Sequence, residues 1–178
     1  MADTVGRDPL SAFGGVTVNL VQEIAREAGA MVRSHFFERE KIVDTKDSPA
    51  DLVTEIDKEV ENKLKERISA AFPEHRFLCE ESCALDERLT DAPTWVIDPI
   101  DGTTNFVHTL PFTCVSIAFV VKKETLLGVV YAPILDEMFT AEKGKGAFLN
   151  GQRISTSGRE DPSCSVICCG FSVGTIRK

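Results

Sequence analysis

No apolar run in the sequence is long enough to span a bilayer. The longest, Cys114–Val121, is interrupted by Ser116, whereas a spanning helix needs about 20 apolar residues. The stretch from Met1 to Pro9 lacks the apolar centre of a secretory signal, so none is expected there. Basic residues are in deficit: Lys and Arg total 20 against 28 Asp and Glu, a net charge of −8. That balance argues against a nucleic-acid or anionic-membrane surface, either of which needs a positive field. The six cysteines (Cys79, Cys83, Cys114, Cys164, Cys168 and Cys169) form no CxxC pair and no zinc spacing. Read as reduced thiols, they point to a cytoplasmic protein. No repeat, low-complexity tract or long linker divides the chain.

What is present fits one globular domain or part of a larger one. Hydrophobic residues make up 43% of the 178 and charged residues 27%, which is neither a disordered nor a fibrous composition. A chain of this length can bury about 70% of its unfolded surface, so it needs no disulfide to fold. Residues 1–13 read as a flexible leader. Val16, Leu20, Ile24 and Ala28 recur at helical spacing and predict a helix to about Phe37. Lys41 to Pro49 reads as extended or turning. Ile56, Val60, Leu64 and Ile68 predict a second helix, ending near Phe72-Pro73.

The period then changes to that of strands. Arg76–Cys79, Thr94–Ile97, Thr113–Lys122, Leu126–Tyr131, Glu137–Ala141, Ala147–Leu149 and Val166–Cys169 are the expected strands. Hairpin turns are expected around Lys123-Glu124-Thr125 and at Asn150-Gly151. Two helices followed by strands predict an α+β fold, with helices layered on a largely antiparallel sheet. Phe119 and Phe139 read as core, His35 and His75 as surface residues. Lys143-Gly-Lys-Gly lacks the ending of a phosphate loop and reads as tight turns.

The sharpest feature is Trp95-Val-Ile-Asp-Pro-Ile-Asp-Gly-Thr-Thr-Asn-Phe106. A buried strand delivers Asp98 to its end, and Pro99 and Gly102 force a turn carrying Asp101. Thr103 and Thr104 suit a helix N-cap or first turn. Two carboxylates beside backbone N–H groups suit a metal and a phosphate together. Glu80-Glu81 follows another strand, and Asp57 opens the second helix. Alone, each fragment has an ordinary explanation: an Asp-Gly turn, a solvated acidic loop, acids facing a helix dipole. Together they change the reading. Bringing Asp57, Glu80, Asp98 and Asp101 together without a cation would cost several kcal/mol. Oxygen donors with only three histidines favour Mg²⁺ over zinc or copper.

The blocks Asp51-Leu-Val-Thr-Glu-Ile-Asp57, Glu80-Glu-Ser82 and Asp98-Pro-Ile-Asp-Gly-Thr-Thr-Asn-Phe-Val-His108 closely resemble the inositol monophosphatase family. Gly128–Tyr131 and Lys143–Gly151 are similar to it too, in the same order. The resemblance implies a layered α-β-α-β-α sandwich and Mg²⁺-dependent hydrolysis of myo-inositol monophosphate, with two or three ions. It implies that Glu80, Asp98 and the Ile100 carbonyl hold one ion, and that Asp98 and Asp101 share another. Gly102 and Thr103 would offer N–H groups to the phosphate, and Asp57 with the Thr103 hydroxyl would activate water. Glu80 would act in that step too, and with Ile100, Asp101, Gly102 and Thr103 would meet the substrate. Glu81 would assist, Lys46 would line the site, and His108 would touch substrate or serve the structure. A cytoplasmic homodimer, lithium sensitivity and a place in phosphatidylinositol precursor supply are also implied. The partner is a small phosphate ester, not nucleic acid or membrane.

Two departures stand out. The family carries a third acidic motif, Trp-Asp, further on, whereas Trp95 is the single tryptophan here and already belongs to the central motif. The resemblance therefore implies that residues 14–178 are an N-terminal portion, truncated after the first helix pair and sheet. Weak or absent activity is then expected, and the alternatives are a noncatalytic short form that binds metal or pairs with a full-length partner, or a phosphatase of a nucleotide or sugar bisphosphate. Cys79 also stands where the family usually has Gly before the Glu-Glu pair.

Overall fold

The computed structural model describes residues 10, 12–38, 43–45, 52–84 and 87–168. Lys46, Asp51 and Cys169 lie outside them. Helix α1, Val18–Phe36, is capped by the Thr17 hydroxyl and buries Val21, Ile24, Ala25, Ala28, Val32 and Phe36 on one stripe. Strands β1 (Val43–Thr45) and β2 (Leu52–Thr54) pair antiparallel. Helix α2, Glu55–Ala71, follows directly and buries Val60, Leu64 and Ile68. Leu10 is buried and Phe13 meets Phe119 edge-on at 5.6 Å, so both pack on the core although they fall in the expected leader.

Among the described residues, seven strands form the main sheet in sequence order, β3 to β9. They are Arg76–Cys79, Thr94–Asp101, Cys114–Val121, Glu124–Ala132, Glu137–Glu142, Gly146–Leu149 and Gln152–Ile154. Among the described residues only β3 and β4 run parallel, and the other ladders of this sheet are antiparallel. A short helix α3, Thr103–Val107, leaves the end of β4. The architecture is an α+β sandwich layer, with α1 and α2 on one face of the sheet. Trp95, Ile97, Val115, Ile117, Phe119, Leu127 and Val129 point into that layer and are buried, as period-two alternation requires. The helix–sheet contact is close: a Cβ on Gly29 of α1 would lie 2.5 Å from the Tyr131 ring of β6.

Several local expectations need correction. The β5–β6 turn is Lys122-Lys123, both at positive φ, one position earlier than expected. Residues 166–168 form no strand; Val166 and Ile167 are exposed, with no neighbouring strand paired to them. Phe139 is half-buried, because Met138 and Thr140 take the inward positions of β7. His75 is half-buried rather than a plain surface residue. Its ring stacks on Phe72 at 5.0 Å and Phe119 at 5.2 Å, and its Nδ1 accepts from the Trp95 indole at 3.1 Å. Burial lowers its pKa accordingly. Asn150-Gly151 does form the β8–β9 hairpin, with both residues at positive φ. Among the described residues, no helix is long and apolar enough to cross a membrane.

Candidate active site

The site grows from the C-terminal end of β4. Regular pairing with β5 runs to Asp98 opposite Ser116, shifts, and resumes at Asp101 opposite Cys114. That irregularity re-aims the chain between the two aspartates, as bulges do. Thr113 Oγ1 then donates to the Asp101 carbonyl at 2.9 Å, and the Cys114 thiol lies 3.7 Å from Asp101 Oδ2. Gly102 follows at φ +85°, where a side chain is strained, and an added Cβ would lie 2.8 Å from the Phe112 carbonyl oxygen. Only glycine fits this junction.

Gly102, not a threonine, is the N-cap of α3, and no side chain caps that helix. The Thr103 hydroxyl is engaged elsewhere, 3.2 Å from Asp57 Oδ1 and 3.1 Å from the Ile100 carbonyl oxygen. Asp57 reaches this point through a reciprocal cap at the start of α2. The Thr54 N–H donates to Asp57 Oδ2 at 2.8 Å, and the Thr54 hydroxyl makes a second, short bond to the same oxygen. Oδ2 is thereby satisfied and Oδ1 is turned toward Thr103. Burial raises the Asp57 pKa above the ordinary carboxylate value, against the lowering effect of those hydrogen bonds.

Asp98 holds the most perturbed carboxyl. Burial first, then repulsion from Glu80, a hydrogen bond shared with Glu80 and repulsion from Asp101, push it up to about 8. Its Oδ1 is buried without a hydrogen-bond partner. Together with Glu80, Leu78, Cys79, Ser116 and Ala118 it lines a cleft of about 490 Å³ on the sheet face opposite the helices.

The structure thus brings Glu80, Asp98 and Asp101 into electrostatic contact through Asp98. Asp57 is bound by Thr54 through Oδ2 and meets Thr103 through Oδ1, and the Thr103 hydroxyl also reaches the Ile100 carbonyl. Among the described residues, no three His, Cys, Asp or Glu side chains close into a ready-made metal cage. The donors nevertheless suit a hard cation. A buried carboxylate oxygen lacks a partner, its neighbours are carboxylates, and the set is all oxygen.

His108 is exposed and serves as the C-cap of α3 through its backbone N–H. Cys79 is accommodated in the core, with its thiol pushed up to about 12 by burial. Glu61 is a residue the sequence pattern hid: it is 2% exposed and accepts from the Glu81 N–H at 2.8 Å. Its signal was a charge one helical turn after Asp57, between the buried Val60 and Leu64.

Residues 16–176 match the inositol monophosphatase family. Inositol monophosphatase 1 of Rattus norvegicus is 48% identical over 157 residues, 87% of this chain and 56% of the relative. The structure of the Thermotoga maritima IMPase is similar with a TM-score of 0.73 at 40% identity, over 79% of this chain and 54% of that one. An IMPase/NADP phosphatase solved with NADP and Ca²⁺ gives a TM-score of 0.69 at 28% identity, over 76% and 51% respectively. The chain spans about half the length of the relatives it matches.

Proposed function

The chain belongs to the inositol monophosphatase family, and from that premise we propose that it takes part in Mg²⁺-dependent hydrolysis of myo-inositol monophosphate to inositol and phosphate. The observation that carries this reading is the buried, unpartnered Asp98 oxygen between Glu80 and Asp101. Such a group is costly in a bare protein and useful beside a cation.

Glu80, Asp98 and the Ile100 carbonyl would hold one Mg²⁺, and Asp98 with Asp101 a second. When bound, the ions supply neutralisation of phosphate oxygens and acidification of a water. The chain's own residues do the rest. With the Thr103 hydroxyl 3.2 Å from Asp57 Oδ1, a proton leaving an attacking water would pass to the hydroxyl while the hydroxyl proton moves to Asp57. The raised basicity of Asp57 favours that transfer. Because Oδ2 is held by Thr54, the accepting oxygen does not rotate away. Gly102 lets the backbone turn sharply, and its own N–H and that of Thr103 would be offered to the phosphate. Glu81 would support the turn that carries Glu80. Lys46 remains part of the reading by family likeness, as do a cytoplasmic homodimer and inhibition by Li⁺.

A second reading, a phosphatase of another small phosphate, is favoured by one observation: the relative solved with NADP and Ca²⁺ shares this fold at 28% identity. A panel of inositol 1-phosphate, 2′-AMP and NADP, each assayed for phosphate release with and without Mg²⁺, separates the two. Faster release from inositol 1-phosphate supports the first reading, and faster release from the nucleotides replaces it with the second.

A further inference from the structure

Helix α2 carries two buried acidic residues one turn apart, Asp57 at 1% and Glu61 at 2% exposure. The first belongs to the site described above. The second has no role there, and a carboxylate in a helix's buried stripe is costly unless it is well paired. Glu61 Oε2 accepts the Glu81 N–H at 2.8 Å, and Oε1 lies 3.8 Å from Lys65 Nζ. Lys65 Nζ in turn donates to Ser82 Oγ at 3.0 Å. The turn after β3 is therefore gripped at successive residues. Glu80 N–H extends the ladder to the Ile97 carbonyl at 3.0 Å, Glu61 takes Glu81, Lys65 takes Ser82, and Cys83 N–H closes on the Cys79 carbonyl at 2.9 Å.

We infer that Glu61 is a positioning residue: its carboxylate anchors the Glu81 amide and so holds Glu80 against Asp98, readying that pair for a divalent cation. Because Asp57 and Glu61 share one helix, a single rigid element fixes both the group facing Thr103 and the turn bearing Glu80. Precision of this kind is what a supporting shell around a metal site provides. The link to metal binding rests on the reading of Glu80 and Asp98 as cation ligands given above.

Three variants test the inference: Glu61→Gln, Glu61→Met and Glu61→Ala. Gln keeps an acceptor for the Glu81 N–H, Met keeps the volume without it, and Ala removes both. Two quantities are measured on the whole chain, namely hydrogen exchange at the Glu81 amide and Mg²⁺ affinity by calorimetry, with thermal melting alongside. In Glu61→Met the Glu81 amide should exchange at least tenfold faster and Mg²⁺ should bind about 10-fold more weakly, the lower end for loss of an outer partner. Its melting temperature should be kept or raised. Glu61→Gln should retain slow exchange and bind within about threefold of the unaltered chain.

A Glu61→Met variant with unchanged Mg²⁺ affinity and fast Glu81 exchange overturns the positioning role while leaving the metal reading intact. If Glu61→Gln loses as much affinity as Glu61→Met, the charge and not the anchor is responsible, which also overturns it. If the unaltered chain binds no Mg²⁺, the metal reading fails. The anchor is then judged by exchange alone, and slow exchange in Glu61→Met removes it. If Glu61→Ala does not fold, the Gln and Met variants carry the decision.

Discussion

Replacing Asp98 by Asn should stabilise the metal-free chain at alkaline pH and remove its response to Mg²⁺. Burial, then Glu80 and Asp101, push the Asp98 carboxyl from an ordinary value near 3.8 to about 8. Between those two pH values the folded chain keeps a proton that the unfolded chain has lost. Its contribution to stability is therefore full below about pH 4 and is lost as the pH rises through about 8. Above that, a charged Asp98 has an unpartnered buried oxygen and two acidic neighbours. Glu80 and Asp101 are exposed, so solvent screening reduces the penalty to about 1–2 kcal/mol. Asn keeps the shape and can donate to Glu80.

For a chain of this size the gain corresponds to a melting temperature about 2–8 °C higher at pH 9. At pH 5, little more than one unit above the unfolded value, the difference should shrink to about a third. Mg²⁺ at about 100 times its Kd should stabilise the unaltered chain by ~2.7 kcal/mol and leave Asp98→Asn unmoved. Differential scanning calorimetry across pH 5–9, with and without Mg²⁺, reads all of this. A lower melting temperature for Asp98→Asn at pH 9, or a difference independent of pH, would refute the reasoning.

Two further substitutions probe the same site. Thr103→Ala removes the hydroxyl between Asp57 Oδ1 and the Ile100 carbonyl; in an active preparation kcat should fall about 10²-fold or more, and a small effect would restrict Thr103 to backbone contacts. Gly102→Ala places a Cβ 2.8 Å from the Phe112 carbonyl oxygen at φ +85°. It should cost about 2–3 kcal/mol by denaturant titration and weaken Mg²⁺ binding with it; unchanged stability would mean the turn is not constrained as described.

Much of the fold was legible because both helices are long and amphipathic and most strands alternate cleanly. The Ile56–Val60–Leu64–Ile68 stripe predicted α2 nearly to its ends. The β1–β2 pair was not legible, since three-residue strands carry too little pattern to announce a partner. The β5–β6 turn was misplaced because lysines occupy its positive-φ positions, where Gly or Asn would have signalled it. His75 looked like a surface residue because its stacking partners, Phe72 and Phe119, are brought to it by the tertiary fold.

At the site, Asp98, Asp101, Gly102 and Thr103 fall within one short run that Pro99 and Gly102 punctuate, so the motif could be read directly. Glu61 could not, because a Glu in a charge-rich helix looks solvated until the helix is docked on the turn after β3. Likewise, Asp57 resembled a simple dipole-facing acid. The fold shows that one of its oxygens caps α2 and the other faces Thr103.

The proposed activity is tested most directly by phosphate release from myo-inositol 1-phosphate by this 178-residue chain, with and without Mg²⁺, beside Asp98→Asn. The expected result is at most slow release, which requires Mg²⁺ and disappears in the variant. Release that is equal in both proteins, or that does not need Mg²⁺, would contradict the assignment of hydrolysis to these carboxylates.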